Sequence, residues 1–258
     1  MARSIAAERD DWDRHWYVLS DANQRNPAQA YRRRLAIHLL GRDGAPRRLL
    51  DIGSGQGDFL ALAASRWPKA ELLGLEISEV GVQIASAKVP NARLRIRDLL
   101  ADSSPEDDES GWATHALCSE VLEHVDDPVS LMRNARAYLA RGCRIVVTVP
   151  GGPMSAFDRH IGHRRHFTPG DLAGVLREAG LEVHHATGAG FPFFNLYHLA
   201  VIAGGERLVH DVTVAGEGNS PSALLRVGMA TFDPLLRLNL AKTRLGWQTV
   251  AVAYHGDR

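Results

Sequence analysis

Three histidines, His160, His163 and His166, recur at three-residue intervals in the stretch DRHIGHRRHF. Upstream, SEVLEHVDDP arrays Glu120, Glu123 and His124 as E-x-x-E-H. Imidazole titrates near neutral pH and also ligates metals, so it suits both proton transfer and cation binding. If the upstream segment turns helically, positions 120, 123 and 124 share one side. Two carboxylates and an imidazole on one face attract a divalent cation. The alternatives are a packed or solvated helix start and a basic loop that happens to carry imidazoles. A third array is LLDIGSGQGDF, an apolar run that ends at Asp51 and enters Gly53, Gly55 and Gly57 before a helical stretch.

Glycines let a chain turn tightly and let a ligand approach without a Cβ in the way. The helix behind them begins with unsatisfied N–H groups. The spacing is G-x-G-x-G with an acid two residues ahead, not the G-x-G-x-x-G dinucleotide fingerprint. Glu76 closes a second apolar run and Asp98 a third. In open α/β sheets the carboxyl ends of the strands form the ligand edge, where an acid can accept ribose hydroxyls. The three acids and the loop together point to a nucleotide-like ligand.

The elements that must position these groups alternate in kind. Strands are expected at RRLLDI (47–52), AELLGLEI (70–77), ARLRIRD (92–98), THALCS (114–119) and RIVVTVP (144–150). Helices are expected at DFLALAASRW, EVGVQIASAK and PVSLMRNARAYLA. That alternation predicts a mostly parallel sheet with helices on both faces. Residues 8–40 read as two helices, with Trp12, Trp16 and Leu19 on one face and Pro27 opening the second. The segment ADSSPEDDESG (101–111) reads as a solvated loop. Beyond residue 187, FPFFNLYHLAVIAGGERL and SALLRVGMATFDPLLRLNL read as apolar-rich helices before a last strand, GWQTVAVAY (246–254). They suit core helices, a lid, or a membrane-surface contact.

Lys+Arg and Asp+Glu number 30 each, which removes the broad electrostatic argument for a nucleic-acid partner. Arg164 and Arg165 offer a phosphate two cations, too few to mark an RNA surface. Cys118 and Cys143 make neither a disulfide framework nor a zinc site and are expected as small buried residues. The N-terminus lacks the apolar core of a signal peptide, and no apolar run reaches the roughly 18 residues of a membrane span. The expected location is the cytoplasm. Nothing in the sequence sets an oligomeric state.

The blocks LLDIGSGQGDF, LLGLEIS, IRDLL, CSEVLEHVDDP and RIVVTVPGG, in that order, resemble the class I S-adenosylmethionine-dependent methyltransferases. The resemblance implies a Rossmann-like seven-stranded sheet of order 3-2-1-4-5-7-6 with strand 7 antiparallel. It implies one domain, with an N-terminal helical cap (1–40), a cofactor-binding core (47–187), a helical lid or insertion (188–245) and a last strand (246–254). The methionine moiety is expected by Asp51, Gly53, Gly55 and Gly57, and ribose on Glu76. Adenine is expected by Asp98, with Ile77 and Leu99 alongside and Glu120 bordering the cofactor. In small-RNA 2′-O-methyltransferases, E-x-x-E-H joins a histidine five residues before a helix-opening Thr, and ubiquinone-pathway O-methyltransferases are similar in using a later loop ligand. Here His163 lies five before Thr168, so Glu120, Glu123, His124 and His163 form a candidate set for Mg2+ or Mn2+. Without a cation, His124, His163 and Glu120 are the candidate catalytic groups.

The leading reading is methyl transfer to a small-molecule oxygen, such as a phenol, quinol, sugar, lipid or secondary metabolite. The alternatives are metal-dependent 2′-O-methylation of an RNA end, N- or C-methylation of a metabolite or peptide, and a non-catalytic cofactor-binding scaffold. The segment Ser119-Glu120-Val121-Leu122 replaces the N-P-P-[YF] motif of many amino-group methylators, which argues against those enzymes.

Overall fold

The computed structural model describes residues 11–14, 16, 26–101, 104–216 and 233–256, with 206–216 as backbone only. Seven strands form one sheet: β1 (Arg48–Ile52), β2 (Glu71–Glu76), β3 (Arg93–Ile96), β4 (Ala113–Ser119), β5 (Leu139–Pro150), β6 (Glu182–Ala189) and β7 (Gln248–His255). Their order is β3-β2-β1-β4-β5-β7-β6, with β7 antiparallel to both neighbours and the first five strands parallel. The described helices are α1 (Pro27–Leu40), α2 (Asp58–Arg66), α3 (Glu79–Lys88), α4 (Pro128–Ala135), α5 (Ala156–His160), α6 (Pro169–Glu178) and α7 (Phe193–Gly216).

Alternation along each strand divides the core in two, because successive side chains face opposite sides of the sheet. Leu50, Ile52, Leu73, Ile145 and Val147 pack on the face covered by α4 and α6. Leu49, Leu72, Val146, Val250 and Val252 pack on the face covered by α1 and α2. Both faces are buried, which explains why the central strands read as continuous apolar runs. The cysteines fit this pattern, since Cys118 and Cys143 are free, buried members of the first layer.

Several boundaries differ from the sequence reading. The helix expected through residue 140 ends earlier: α4 stops at Ala135, a short 3-10 turn spans Arg136–Tyr138, and β5 begins at Leu139. Leu139 pairs with Ala113 and is buried, so sheet pairing wins over helix propensity there. Asp98 lies beyond the end of β3, not within it. The acidic loop is not simply solvated. Glu109 is fully buried with its carboxylate 3.0 Å from Arg95 Nε, and Glu106 and Asp108 pair with Arg95 and Arg93. Within SALLRVGMATFDPLLRLNL only residues 233–240 are described; they make one helical turn over 233–236 and then a bridge from Leu240 to Phe191. Leu19 and residues 217–232 lie outside the described residues. Among the described residues no helix is long and apolar enough to cross a membrane.

Candidate active site

The glycine loop follows β1 and is fastened to β2. Gly53 and Ser54 donate their N–H groups to the Leu75 carbonyl at 2.8 and 2.9 Å, and Gly55 N donates to Glu76 Oε2 at 2.7 Å. Glu76 Oε1 accepts from Ser78 N at 3.0 Å. Three glycines are required here, and Gly53 has φ +71° with Val121 Cγ2 2.4 Å from where its Cβ would stand. Gly55 has φ +53°, and Gly57, the cap of α2, has φ +78° with Ala85 Cβ only 2.9 Å from where its own Cβ would stand.

Asp51 and Glu76 are both buried. Burial, then repulsion from Glu76, pushes the Asp51 carboxyl up to about 8. Burial also raises Glu76, opposed by its bonds from Ser78, Gly55 and the Trp16 indole. That indole belongs to a segment lying across the loop. A Cβ on Gly55 would stand 2.6 Å from Trp16 Cζ2, and one on Gly81 3.0 Å from Trp16 Cδ1. Asp13 fastens the same segment, accepting from Ser78 Oγ at 2.5 Å and Val80 N at 3.2 Å. On the other side of the loop, Ile77 and Leu100 are exposed, Leu99 is buried, and Asp98 accepts from Leu100 N at 2.9 Å.

After β4 the chain does not turn as one helix. Glu120 takes φ +58°, and a 3-10 turn covers only Leu122–His124. The expectation that a helical turn would put Glu120 beside Glu123 and His124 is therefore corrected. The Glu120 carboxylate lies 3.0 Å from Arg32 Nε and accepts from Gln248 Nε2 at 2.8 Å and Thr148 Oγ1 at 3.2 Å. A residue in the left-handed region costs about 1–3 kcal/mol, and these three partners hold it there.

The Glu123 side chain is 0% exposed, and neither carboxylate oxygen accepts a hydrogen bond from another described residue. Burial and the Glu120 charge push its carboxyl well above the ordinary carboxylate range. Glu123, His124 and His163 form one group whose candidate ligand atoms all lie within 4.8 Å of one another. His163 arrives there because the Arg164 N–H donates to the Glu123 carbonyl at 2.8 Å, tying the histidine loop to the turn after β4. Phe167 N donates to Pro150 O at 2.9 Å, and Thr249 Oγ1 donates to Phe167 O at 2.6 Å, which fixes the loop over β5 and β7. Trp12 stands edge-on to the His124 ring at 4.8 Å.

The remaining histidines separate. His160 is exposed at the end of α5. His166 joins a second group with Asp158 and His163, and His198 on α7 lies 3.8 Å from Asp158 Oδ2. Sequence reading missed Asp158, His198, Arg32 and Gln248. Only Asp158 carried a signal, three residues after Ser155, with which it makes the capping box of α5. The same motif, with Thr168 and Asp171, opens α6 with Pro169 in its first turn. Arg164 pairs with Asp126, and Arg165 donates to the Asp126 carbonyl at 3.0 Å.

The sheet order, the glycine loop after β1 and the buried acid ending β2 define a Rossmann-like methyltransferase. Residues 21–186 match the family profile described as a methyltransferase domain, and the chain belongs to that family. It is an S-adenosylmethionine-dependent methyltransferase. The chain is 29% identical over 178 residues to a ubiquinone biosynthesis O-methyltransferase of Marinobacter nauticus, covering 60% of this chain and 72% of that one. It is 29% identical over 140 residues to a trans-aconitate 2-methyltransferase of Methylobacterium radiotolerans, covering 54% of this chain and 50% of that one. A solved geranyl diphosphate C-methyltransferase from Streptomyces coelicolor, in complex with Mg2+, geranyl diphosphate and S-adenosyl-L-homocysteine, shares the fold. Its TM-score is 0.56 at 15% identity, over 88% of this chain and 79% of that chain.

The pH dependence of Asp51 has a defined sign. Its folded pKa lies above its unfolded value, so the folded state binds the extra proton between about pH 4 and about pH 8. The Asp51 contribution is most favourable below pH 4 and is lost as pH rises to 8. Thermal melts of the protein without cofactor should show a Tm that falls more steeply over this range than that of Asp51→Asn. Parallel Tm curves for the two proteins would show that Asp51 ionises normally.

Proposed function

We propose that the protein transfers a methyl group from S-adenosylmethionine to a hydroxyl oxygen of a small molecule, with Glu123, His124 and His163 handling the acceptor. The observation that carries this reading is the buried Glu123 carboxylate beside two imidazoles, on the sheet edge that also holds the glycine loop. Its similarity to an enzyme named as an O-methyltransferase supports oxygen as the target.

On this reading Asp51 and the loop of Gly53, Gly55 and Gly57 receive the methionine portion of the donor. Glu76 accepts the ribose hydroxyls, and adenine lies by Asp98 between Ile77 and Leu99. Glu120 borders the cofactor and is oriented by Arg32. Trp16 must leave its place over Gly55 for the ribose to reach Glu76. The segment around Trp12 and Trp16 and the start of α7 then act as covers over the two ligands.

The chemistry is a displacement at carbon. The methyl–sulfur bond breaks with its electron pair kept by sulfur, giving a neutral thioether, while the acceptor oxygen bonds to carbon. The hydroxyl proton must leave, and a histidine whose ordinary pKa lies near working pH is suited to take it. The main work left to the protein is alignment of the two reactants. A divalent cation would be held by Glu123, His124 and His163 and would supply a lower pKa for the acceptor hydroxyl. One carboxylate with two imidazoles and open positions suits Mn2+ or another transition-metal ion in a catalytic setting better than Mg2+, which prefers oxygen ligands, or structural zinc, which takes four protein ligands. The residues fit such an ion, because a buried carboxylate without hydrogen bonds calls for a compensating positive charge.

Incubation with labelled methyl donor and a panel of phenols, quinols, sugars, peptides and RNA ends tests the class of acceptor. Label should enter a small-molecule hydroxyl; label only in peptide or RNA would refute the proposal. His163→Ala should lower the transfer rate roughly 100-fold or more. Loss of activity to EDTA with rescue by Mg2+ or Mn2+ assigns the group to a cation. Activity that survives EDTA but falls in His163→Ala assigns it to a base. Full activity after both treatments would remove this group from the mechanism.

Cofactor binding has its own test. Titration with S-adenosylhomocysteine should change the tryptophan emission, and Trp16→Phe should remove most of that change. Glu76→Ala should weaken binding by roughly 1.5–3 kcal/mol, the usual loss of a hydrogen bond to a charged group. Unchanged calorimetric affinity in a folded Glu76→Ala protein would move the ribose elsewhere.

A further inference from the structure

Residues 234–245, PLLRLNLAKTRL, interleave leucines with cations and include neither an acid nor an aromatic residue. They form a strap beside the carboxyl end of β6. Gly190 N donates to Leu240 O at 2.9 Å, Leu240 N to Phe191 O at 3.0 Å and Thr243 N to Gly188 O at 2.8 Å. Asn239 Oδ1 accepts from Phe193 N and Phe194 N at 2.9 and 3.2 Å, and Leu236 is fully buried in the core layer under α1 and α2. At the far end, Asn195 Nδ2 donates to Leu245 O at 2.7 Å. The inner side of the strap is therefore fixed to the sheet edge and to the start of α7.

The outer side is apolar and cationic. Leu238 is 67% exposed, Leu245 60% and Leu240 52%, and Leu235 is exposed as well. Leu196 and Leu199, three residues apart on α7 next to Asn195, are also exposed. Leucines scattered singly over a surface need no cover, but a group of them on one anchored segment does. Arg237, Lys242 and Arg244 are exposed among them. Arg237 shares Asp233 with Arg34, and among the described residues no acid pairs with Lys242 or Arg244.

We infer that this strap is a docking surface for an anionic lipid bilayer: its leucines enter the interface and its three cations meet lipid phosphates. Apolar side chains flanked by Lys and Arg are what holds a segment in the plane of a membrane surface. The protein would lie on the bilayer, since among the described residues no helix is long and apolar enough to cross one. Lys+Arg and Asp+Glu balance at 30 each, so attraction to an anionic surface comes from this local excess and sets the orientation.

The composition favours lipid over protein. Protein interfaces are enriched in aromatic residues and depleted of Lys at their centre, and the strap has Lys242 and no aromatic residue. A second copy docked about a twofold axis through the strap would set its cations against their own counterparts. Docking would bring the bilayer beside the start of α7, where His198 stands edge-on to Trp247 at 5.8 Å and 3.8 Å from Asp158 Oδ2. The exposure and charge of the strap are independent of how the acceptor histidines work.

The test is sedimentation of the full chain with vesicles of phosphatidylcholine, alone or mixed with phosphatidylglycerol. The wild type should pellet with the mixed vesicles and stay in solution with phosphatidylcholine alone. Raising NaCl from about 0.1 M to about 1 M shortens the Debye length from about 10 Å to about 3 Å and should release most of the bound protein. Lys242→Glu with Arg244→Glu should weaken binding about tenfold or more. Leu238→Ser with Leu240→Ser should weaken it by a similar factor, by removing the inserted side chains. The charge pair alters only exposed side chains, so it tests the surface even where the leucine pair unfolds; thermal melts check both. A wild type that stays in solution with the mixed vesicles overturns the inference. Binding that both folded variants retain also overturns it, as does equal binding to phosphatidylcholine alone. A wild-type dimer in analytical ultracentrifugation that Leu238→Ser with Leu240→Ser dissociates, without vesicle binding, assigns the strap to a second copy instead.

Discussion

A carboxylate that is fully buried and accepts no hydrogen bond from another described residue sets the terms for the edge formed by the loops after β4 and β5. Leaving an ionised group in that state costs several kcal/mol unless a positive charge or a proton compensates. Glu123 has two imidazoles within reach of that role, and both are placed by backbone bonds rather than by chance contact. The bond from Arg164 N to the Glu123 carbonyl couples the turn after β4 to the loop after β5. These strands are adjacent and parallel, so their carboxyl ends bring the two segments to one edge. The sheet order thus accounts for the juxtaposition, and the local hydrogen bonds account for its register.

The glycine loop is organised by the opposite device, a carboxylate that accepts from two backbone donors. Glu76 accepts from Gly55 N and Ser78 N, so it holds the glycine loop and the start of α3 in fixed relation. Asp51 sits beneath, raised by burial and by the charge of Glu76. Two buried acids close together disfavour each other's ionisation, and a cationic ligand relieves that repulsion. S-adenosylmethionine carries both an ammonium and a sulfonium. Its demethylated co-product, S-adenosylhomocysteine, keeps the ammonium but has a neutral thioether in place of the sulfonium, so the electrostatic match weakens as the methyl group departs.

Much of this was legible in the sequence, and the reasons are specific. The central strands announced themselves because burial on both faces forces unbroken apolar runs such as RRLLDI and RIVVTVP. The loop was legible because few residues other than glycine adopt the positive φ of positions 53, 55 and 57. His163 is singled out only by the resemblance, through its distance from Thr168, and what local chemistry made legible is the cap that Thr168 provides. The partners of Glu120 were not legible. Arg32 and Gln248 are 216 residues apart in the chain and meet only because α1 crosses the sheet near the start of β7. Glu120 itself misled, since E-x-x-E-H suggests one helical face, whereas a positive φ breaks the helical turn and its carboxylate takes Arg32, Gln248 and Thr148 as partners. Strand β6 also hid, because its half-exposed residues include His184 and His185 and give no clean alternation.

The misreading of Glu120 shows what the N-terminal helix contributes. Arg32 lies 3.0 Å from Glu120 and donates to Gln248 Oε1 at 2.8 Å, while its guanidinium stands over Phe194 at 5.3 Å. Asn26, the cap of the same helix, accepts from Tyr197 Oη at 3.2 Å. Helix α1 is therefore joined to the turn after β4, to β7 and to α7 through polar contacts, in addition to its apolar packing through Tyr31 and Leu35. A displacement of α1 would free Glu120 from the partner that offsets its strained backbone. The orientation of that acid, between the glycine loop and the histidine cluster, then depends on a helix outside the alternating βα pattern. This dependence gives an addition to the common sheet a direct hold on the turn after β4.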